Sequence, residues 1–158
     1  MATWSEFEHA NPDMAAAGRA LFYQFGVGLG YLATVRKDGG PRVHPFCPII
    51  YEDGLYGLIG PSPKRSDLLR DDRVAIHSFP NPERDDEFYI AGRATRRDDR
   101  QLTEAVRAAF VKSGATSSVD ELLFEFDIEH VLLATYKKRG EPNNWPPIYT
   151  KWHARVAR

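Results

Sequence analysis

The chain has 158 residues, a length that suits one domain over residues 1–158. Its 21 Lys and Arg residues nearly cancel its 22 Asp and Glu residues, so the formal net charge is -1, and neither nucleic acid nor an anionic membrane is expected as a partner. Cys47 is the single cysteine and cannot form an internal disulfide, and the N-terminus lacks the pattern of a signal peptide. We therefore expect a cytoplasmic protein.

The first half of the chain changes from a helical pattern to short extended runs. Asn11 followed by Pro12 is a typical helix start, and apolar residues at helical spacing then predict a helix over residues 11–26. Strands are predicted over 31–35, 42–51 and 55–59, separated by the turn sequences KDGG and EDG. Pro45 and Pro48 each remove a backbone donor, so the second of these strands should be bulged or lie at an edge.

The second half continues the β pattern. A loop and short helix are predicted in PSPKRSDLLRDD, strands over 73–79 and 87–97, an amphipathic helix around 102–110, and strands over 122–128 and 131–136. Such short adjacent strands favour a closed or nearly closed antiparallel barrel over residues 28–136. The tail, 137–158, is rich in proline and charge and should not continue the sheet. Its Trp145 and Trp152 should pack either on the barrel or on a partner subunit.

The segment from Gly60 to Leu69 contains a possible anion site. Ser62 can cap a helix that begins at Pro63, which leaves backbone donors free at its start. Lys64 and Arg65 add two positive charges at the same place, so a phosphate could be bound by side chains and backbone together. The alternative is a short surface helix whose basic residues are simply solvated.

The ordered set of motifs around this segment resembles the pyridoxamine-phosphate-oxidase-like, FMN-binding split-barrel superfamily. The resemblance covers about residues 28 to 97 and depends on five elements in sequence: Ala33-Thr34-Val35, Asp38-Gly39, the proline-containing strand from Pro41 to Ile50, Ser62-Pro63-Lys64, and Arg73-Val74. It implies a mainly β protein with flanking helices, an antiparallel split β-barrel of the FMN-binding type. It also implies a homodimer with cofactors at the interface.

The resemblance also implies roles for individual residues. Lys64 would bind the cofactor phosphate, assisted by Ser62 and Arg65. The backbone of His44, Pro45 and Phe46 would run beside the ring or the ribityl chain, with Leu58 and Ile59 as the adjacent wall. Glu87 stands where the oxidases place an amide near the ring, and Trp145 of the other subunit could cover that ring.

Two departures argue against a true pyridoxamine phosphate oxidase. The second strand lacks the Arg-x-x-Leu-Lys pattern of those enzymes, with His44 in place of the arginine, and the tail lacks their arginine-containing substrate signature. The chain is more similar to the general-stress-protein and flavin/deazaflavin oxidoreductase branch. That similarity implies FMN, or alternatively the 8-hydroxy-5-deazaflavin coenzyme, and hydride transfer to or from a small conjugated substrate.

Two alternative interpretations agree with the same sequence features. In the first, the protein binds flavin, deazaflavin or haem without catalysis. In the second, it is a family member whose pocket holds no cofactor. His44 and His77 lack a second ligand at metal-binding spacing, so we interpret them as packing or pocket residues, with a general acid role as an alternative for His44. Cys47 has no cationic neighbour in sequence and is interpreted as an inert thiol. The run Gly26-Val27-Gly28-Leu29-Gly30 follows a helix and precedes a strand, the reverse of a dinucleotide-binding loop, so its role should be structural.

Overall fold

The structure is a computed structural model that describes residues 1–155, so residues 156–158 of the predicted tail lie outside it. Its helices are α1 (Trp4–Ala10), α2 (Pro12–Phe22), α3 (Pro63–Leu68) and α4 (Arg100–Lys112). Its strands are β1 (Gly30–Val35), β2 (Pro41–Phe46), β3 (Ile49–Tyr51), β4 (Gly54–Ile59), β5 (Arg73–Ser78), β6 (Glu87–Arg97), β7 (Leu122–Thr135) and β8 (Ile148–His153).

The strands form one antiparallel sheet in the order β2-β1-β5-β6-β7-β4-β3, and β8 pairs with β7. The two ends of this order, β2 and β3, follow each other in the chain but do not pair, so the sheet curls without closing. This is the predicted antiparallel split barrel. The helix α3, which contains the predicted phosphate ligand Lys64, contacts β2 at this gap, where Lys64 donates a hydrogen bond to the carbonyl of Pro45.

Two helices cover one end of the core. Asn11 caps α2 by accepting a hydrogen bond from the backbone N–H of Met14, with Pro12 in the first turn, as predicted. The helix ends at Phe22, earlier than the predicted residue 26. The sequence analysis missed α1, which has only seven residues and is held by a capping box at Thr3 and by burial of its aromatic side chains.

The predicted strand 42–51 is two strands, because the chain bends at Cys47 and Pro48 between β2 and β3. At the bend the Pro48 carbonyl approaches Gly28 so closely that a Cβ on Gly28 would lie 2.0 Å from its oxygen. The structural interpretation of the glycine run is therefore confirmed. The edge position predicted from the prolines is also confirmed for β2, which pairs with β1 alone.

The structure corrects two predictions for the C-terminal half. The predicted strands 122–128 and 131–136 are one strand, β7, with an irregularity in its pairing to β6 between Ala91 and Gly92. The tail does continue the sheet, because β8 pairs with β7 along its length. Trp152 anchors it by packing against Phe7, with 5.0 Å between ring centroids.

The sheet buries one face and leaves the other open. Leu32, Ile76, Ile90 and Val131 point into the main core. The alternate side chains form a half-buried or exposed surface that we call the outer face. It contains an uncharged patch, and Arg73, Glu87 and Arg93 lie on the same face around that patch. The patch consists of Tyr31, Ala33, Val43, Ala75, Tyr89, Ala91 and Leu132. Within residues 1–155, no helix combines the length and apolar character needed to cross a membrane.

Candidate functional site: a basic cluster beside the barrel gap

Lys64 joins the helix α3 to the edge strand β2. Its Nζ donates a hydrogen bond to the backbone carbonyl of Pro45 at 3.1 Å, across 19 residues of sequence. Its side chain is half-buried, and burial lowers its pKa from the usual value. An ammonium group is therefore held at the barrel gap, and it has two further N–H donors.

Ser62 positions the start of α3. Its hydroxyl donates to the carbonyl of Gly60 at 3.0 Å and accepts from the backbone N–H of Arg65 at 3.3 Å, so it is the predicted N-cap. The Arg65 guanidinium turns away from this cap and donates to the carbonyl of Asp120 at 2.8 Å. Arg65 therefore ties α3 to the loop before β7, and within one chain Lys64 is the better placed of the two cations.

A buried carboxylate that the sequence analysis missed fixes α3 on the sheet. Asp67 is 3% exposed and accepts hydrogen bonds from Thr34 of β1 at 2.9 Å, Arg42 of β2 at 2.7 Å and Arg70 at 3.0 Å. Burial alone would raise the pKa of Asp67, but the hydrogen bonds from Arg70, Arg42 and Thr34 outweigh it and lower the pKa. Asp67 thus stays ionised and holds Lys64 in register with β2.

His44 lies on the same side of β2 as Arg42 and contains a polar atom without a partner. Its Nε2 is buried and makes no hydrogen bond within the described residues. Burial lowers the pKa of His44, the charges of Lys64 and Arg42 lower it further, and Asp67 partly opposes them. A buried nitrogen without a hydrogen bond costs about 1–3 kcal/mol, which a bound ligand could recover.

The structure adds a neighbour to Cys47 that its sequence did not show. Lys64 is close enough to act on the thiol electrostatically and so opposes the effect of burial. Burial is the larger influence, and the pKa of the Cys47 thiol is raised overall. This direction agrees with the interpretation of Cys47 as an unreactive thiol.

The three apolar site residues near the gap are mostly core residues. Phe46 is 6% exposed and packs edge-on against Phe126, and Ile59 is 1% exposed in the main core. Leu58 is half-buried against the smaller core under α4. Phe46 and Ile59 could therefore offer a ligand little besides their backbone.

The last two predicted site residues lie elsewhere in the same chain. Glu87 begins β6, three strands from β2 in the sheet, which corresponds to roughly 14 Å at the usual strand spacing. Tyr136 lies between Glu87 and Trp145. Its pKa is raised by burial and then by the charge of Glu87. Its ring centroid lies 6.4 Å from that of Trp145. One chain therefore contains two separate groups, the Lys64 cluster (His44, Pro45, Ser62 and Lys64) and the Glu87–Trp145 group.

The Lys64 cluster has the donors that an anionic group such as a phosphate would need. It offers an ammonium group, an imidazole nitrogen with no partner, and a strand edge open toward the gap. Two carboxylates lie near this cluster, and both are occupied by donors of their own. Asp67 accepts from Thr34, Arg42 and Arg70, and Glu121 accepts from Ser117 and Ser118. Among residues 1–155, no group of three or more His, Cys, Asp and Glu side chains could hold a metal ion.

The architecture is an antiparallel split barrel, as the sequence motifs predicted. No protein-family model matches the chain, and no curated protein matches it by sequence. Solved structures do match it in fold. A NimC/NimA family protein from Clostridium acetobutylicum is 23% identical over 92% of this chain and 98% of its own, with a TM-score of 0.61.

Two further structures share this fold. A candidate pyridoxamine 5'-phosphate oxidase from Listeria innocua is 18% identical over 80% of this chain and 98% of its own, with a TM-score of 0.59. A heme binding protein from Mycobacterium smegmatis is 19% identical over 87% of this chain, which corresponds to 57% of its own length, with a TM-score of 0.63. At these identities the likeness establishes the fold.

Proposed function

We propose that the chain binds FMN with its phosphate at the Lys64 cluster and acts as an oxidoreductase on a small conjugated substrate. The observation that carries this proposal is the ammonium group of Lys64, fixed 3.1 Å from the Pro45 carbonyl at the gap of a split barrel. A charge-assisted contact from Lys64 to a phosphate oxygen would be strong at this half-buried site. The deazaflavin coenzyme is the alternative cofactor.

The cofactor would supply the hydride chemistry, and the chain would supply binding and orientation. Lys64 and Ser62 would fix the phosphate end. The backbone of β2 at His44 and Pro45 would line the path toward the ring. Because Asp67 immobilises α3 against β1 and β2, the phosphate end would be held rigidly and would set the position of the ring.

Lys64→Ala tests this assignment. Loss of one charge-assisted phosphate contact should weaken FMN binding by about 1.5–3 kcal/mol, roughly ten- to a hundredfold in Kd, measured by quenching of flavin fluorescence. Lys112→Ala is the matched control, because Lys112 is exposed at the end of α4 and should leave the Kd unchanged. Equal affinity of wild type and Lys64→Ala would exclude the cluster as the phosphate site.

We also propose a homodimer that brings the Lys64 cluster of one subunit near the Glu87–Trp145 group of the other. The outer face carries an uncharged patch that extends over five strands, and Val43 in this patch is 62% exposed in the single chain. Trp145, 72% exposed, would then cover the ring of a cofactor bound to the partner. This arrangement would explain why one chain keeps the two groups apart.

Val43→Glu tests the dimer. A charge at this exposed apolar position of the outer face should shift the protein to monomers in sedimentation velocity at micromolar concentration. Val119→Glu is the control, since Val119 is 93% exposed in the loop before β7 and a charge there should leave the sedimentation coefficient unchanged. A wild type that sediments as a monomer would contradict the proposal.

The competing function is haem binding without turnover. Two observations favour it: the shared fold of the Mycobacterium smegmatis protein, and the stacked rings of His130 and His153, 4.4 Å apart at the edge of the sheet. His153 is the accessible imidazole of the pair, because it is exposed and Nε2 of His130 is buried. A haem titration in which His153→Asn removes the Soret shift would support haem. A Soret shift that His153→Asn leaves unchanged would exclude haem binding through this residue.

A further inference from the structure

His44 is the group of the Lys64 cluster whose chemistry the proposed function leaves unexplained. Its Nε2 is buried without a hydrogen-bond partner within the described residues. The side chain lies on an edge strand, opposite Leu32 of β1, so the sheet offers it an apolar neighbour and no acceptor. Buried polar atoms normally have a partner, so this nitrogen is a candidate contact for a bound ligand.

The charges that face His44 determine its protonation. Lys64 from α3 and Arg42 from β2 are both positive and disfavour a second positive charge on the imidazole. Asp67 from α3 is the one facing carboxylate, and its two oxygens already accept from Arg42, Arg70 and Thr34. With the cluster free of ligand, His44 is therefore neutral at pH 7, and burial favours the same state.

An anion bound beside Lys64 would reverse this balance. A fully ionised phosphate carries two negative charges, and its oxygens accept hydrogen bonds but donate none. It would neutralise the repulsion from Lys64 and Arg42 and give Nε2 an acceptor. The imidazolium form, in which both ring nitrogens are donors, would then be favoured over the neutral form.

We propose that binding of FMN is coupled to uptake of a proton from solvent by His44, which then donates from Nε2 to the phosphate. This inference depends on the proposed phosphate site and adds its control by pH. The neutral histidine lets the site release its ligand at alkaline pH, and the protonated histidine strengthens binding at mildly acid pH. His44 is a positioning and regulatory residue in this account, and it takes no part in hydride transfer.

The sign of the pH dependence follows from the two states. The imidazole in the free protein titrates below its usual value of 6.5, and in the complex it would titrate higher. Affinity should therefore be constant below the lower value, fall as the pH rises between the two values, and be constant again above the higher one. Each unit of separation between the two pKa values is worth about tenfold in affinity.

The experiment compares wild type with His44→Gln in FMN titrations from pH 5.5 to 8.5. Gln keeps a donor at a similar reach but cannot titrate. The ionisation of the FMN phosphate itself, which occurs near pH 6, affects both proteins and cancels in the ratio of their affinities. That ratio should fall about tenfold as the pH rises. Calorimetry at pH 7 in two buffers of different ionisation enthalpy should show more proton uptake by wild type than by the variant, and the difference is the proton bound by His44.

A second measurement keeps the test independent of the variant's folding. The imidazole resonances of His44 in wild-type protein, followed by NMR against pH, should give a higher pKa with saturating FMN than without it. Binding of FMN with an unchanged His44 pKa and a flat affinity ratio would overturn this inference and leave the proposed function standing. Failure of wild type to bind FMN at any pH would overturn the proposed function and this inference with it.

Discussion

Asp67→Asn should destabilise the protein, because it removes the buried charge that holds α3 on the sheet. The asparagine keeps one acceptor oxygen and turns an amide toward a donor, so at least one hydrogen bond to a charged group is lost. Such a bond contributes about 1.5–3 kcal/mol. The Arg42 and Arg70 side chains are 31% and 38% exposed, so water recovers part of this. We expect about 2 kcal/mol, or roughly 4–8 °C in Tm.

Urea denaturation followed by tryptophan fluorescence measures this loss, with Asp38→Asn as the control. Asp38 makes a similar pair with Arg36, but its side chain is 64% exposed, and we expect no measurable change. Asp67 has a lowered pKa in the folded protein, so its contribution is present above its unfolded value of 3.8 and lost as the pH falls through the folded value. The difference between wild type and Asp67→Asn should therefore shrink well below pH 3.8. Equal stability of the two proteins at pH 7 would refute this role.

Two further predictions concern the fold. Gly28→Ala should destabilise the protein by about 1–3 kcal/mol in the same urea assay, because its Cβ would lie 2.0 Å from the Pro48 carbonyl oxygen. Gly60→Ala is the control and should be tolerated, because the nearest atom to its Cβ would be 3.9 Å away. Equal effects of the two substitutions would contradict the close approach of Pro48 to Gly28. Trp152→Ala should cost about 2 kcal/mol by removing the anchor of β8, and Trp145→Ala should leave stability unchanged because Trp145 is 72% exposed. A destabilised Trp145→Ala would show that the tail packs differently.

Elements with strong local signals were predicted from the sequence. The Asn11-Pro12 and Ser62-Pro63 pairs each combine a side-chain cap with a proline of the right φ, so the starts of α2 and α3 agree with the structure. The turns and alternating runs gave the strands of the barrel. Their ends were less accurate, as in the strand broken at Pro48, because a bend that depends on a glycine 20 residues earlier leaves no local mark.

The missed elements depend on distant contacts. In β8 the exposed side chains outnumber the single anchoring Trp152, so the sequence lacks the alternation of a half-buried strand, and pairing with β7 determines its structure. The helix α1 is short and gains its stability from burial of Trp4 and Phe7 in the core.

The candidate site shows the same division. Lys64 and Ser62 were predicted as site residues because they lie two positions apart in a recognisable motif. Asp67 was not, because its partners Thr34 and Arg42 come from two other strands and meet it only in the folded chain. The partnerless Nε2 of His44 likewise depends on what surrounds it in space.

The central claim is that the Lys64 cluster binds a phosphate, and a comparison of FMN with riboflavin tests it most directly. Riboflavin has the same ring and ribityl chain without the phosphate, so the difference in affinity between the two ligands isolates the phosphate contact. We predict that wild type binds FMN about ten- to a hundredfold more tightly than riboflavin and that Lys64→Ala removes most of this difference. Equal affinity of wild type for the two ligands, or a preference that Lys64→Ala leaves intact, would contradict the account.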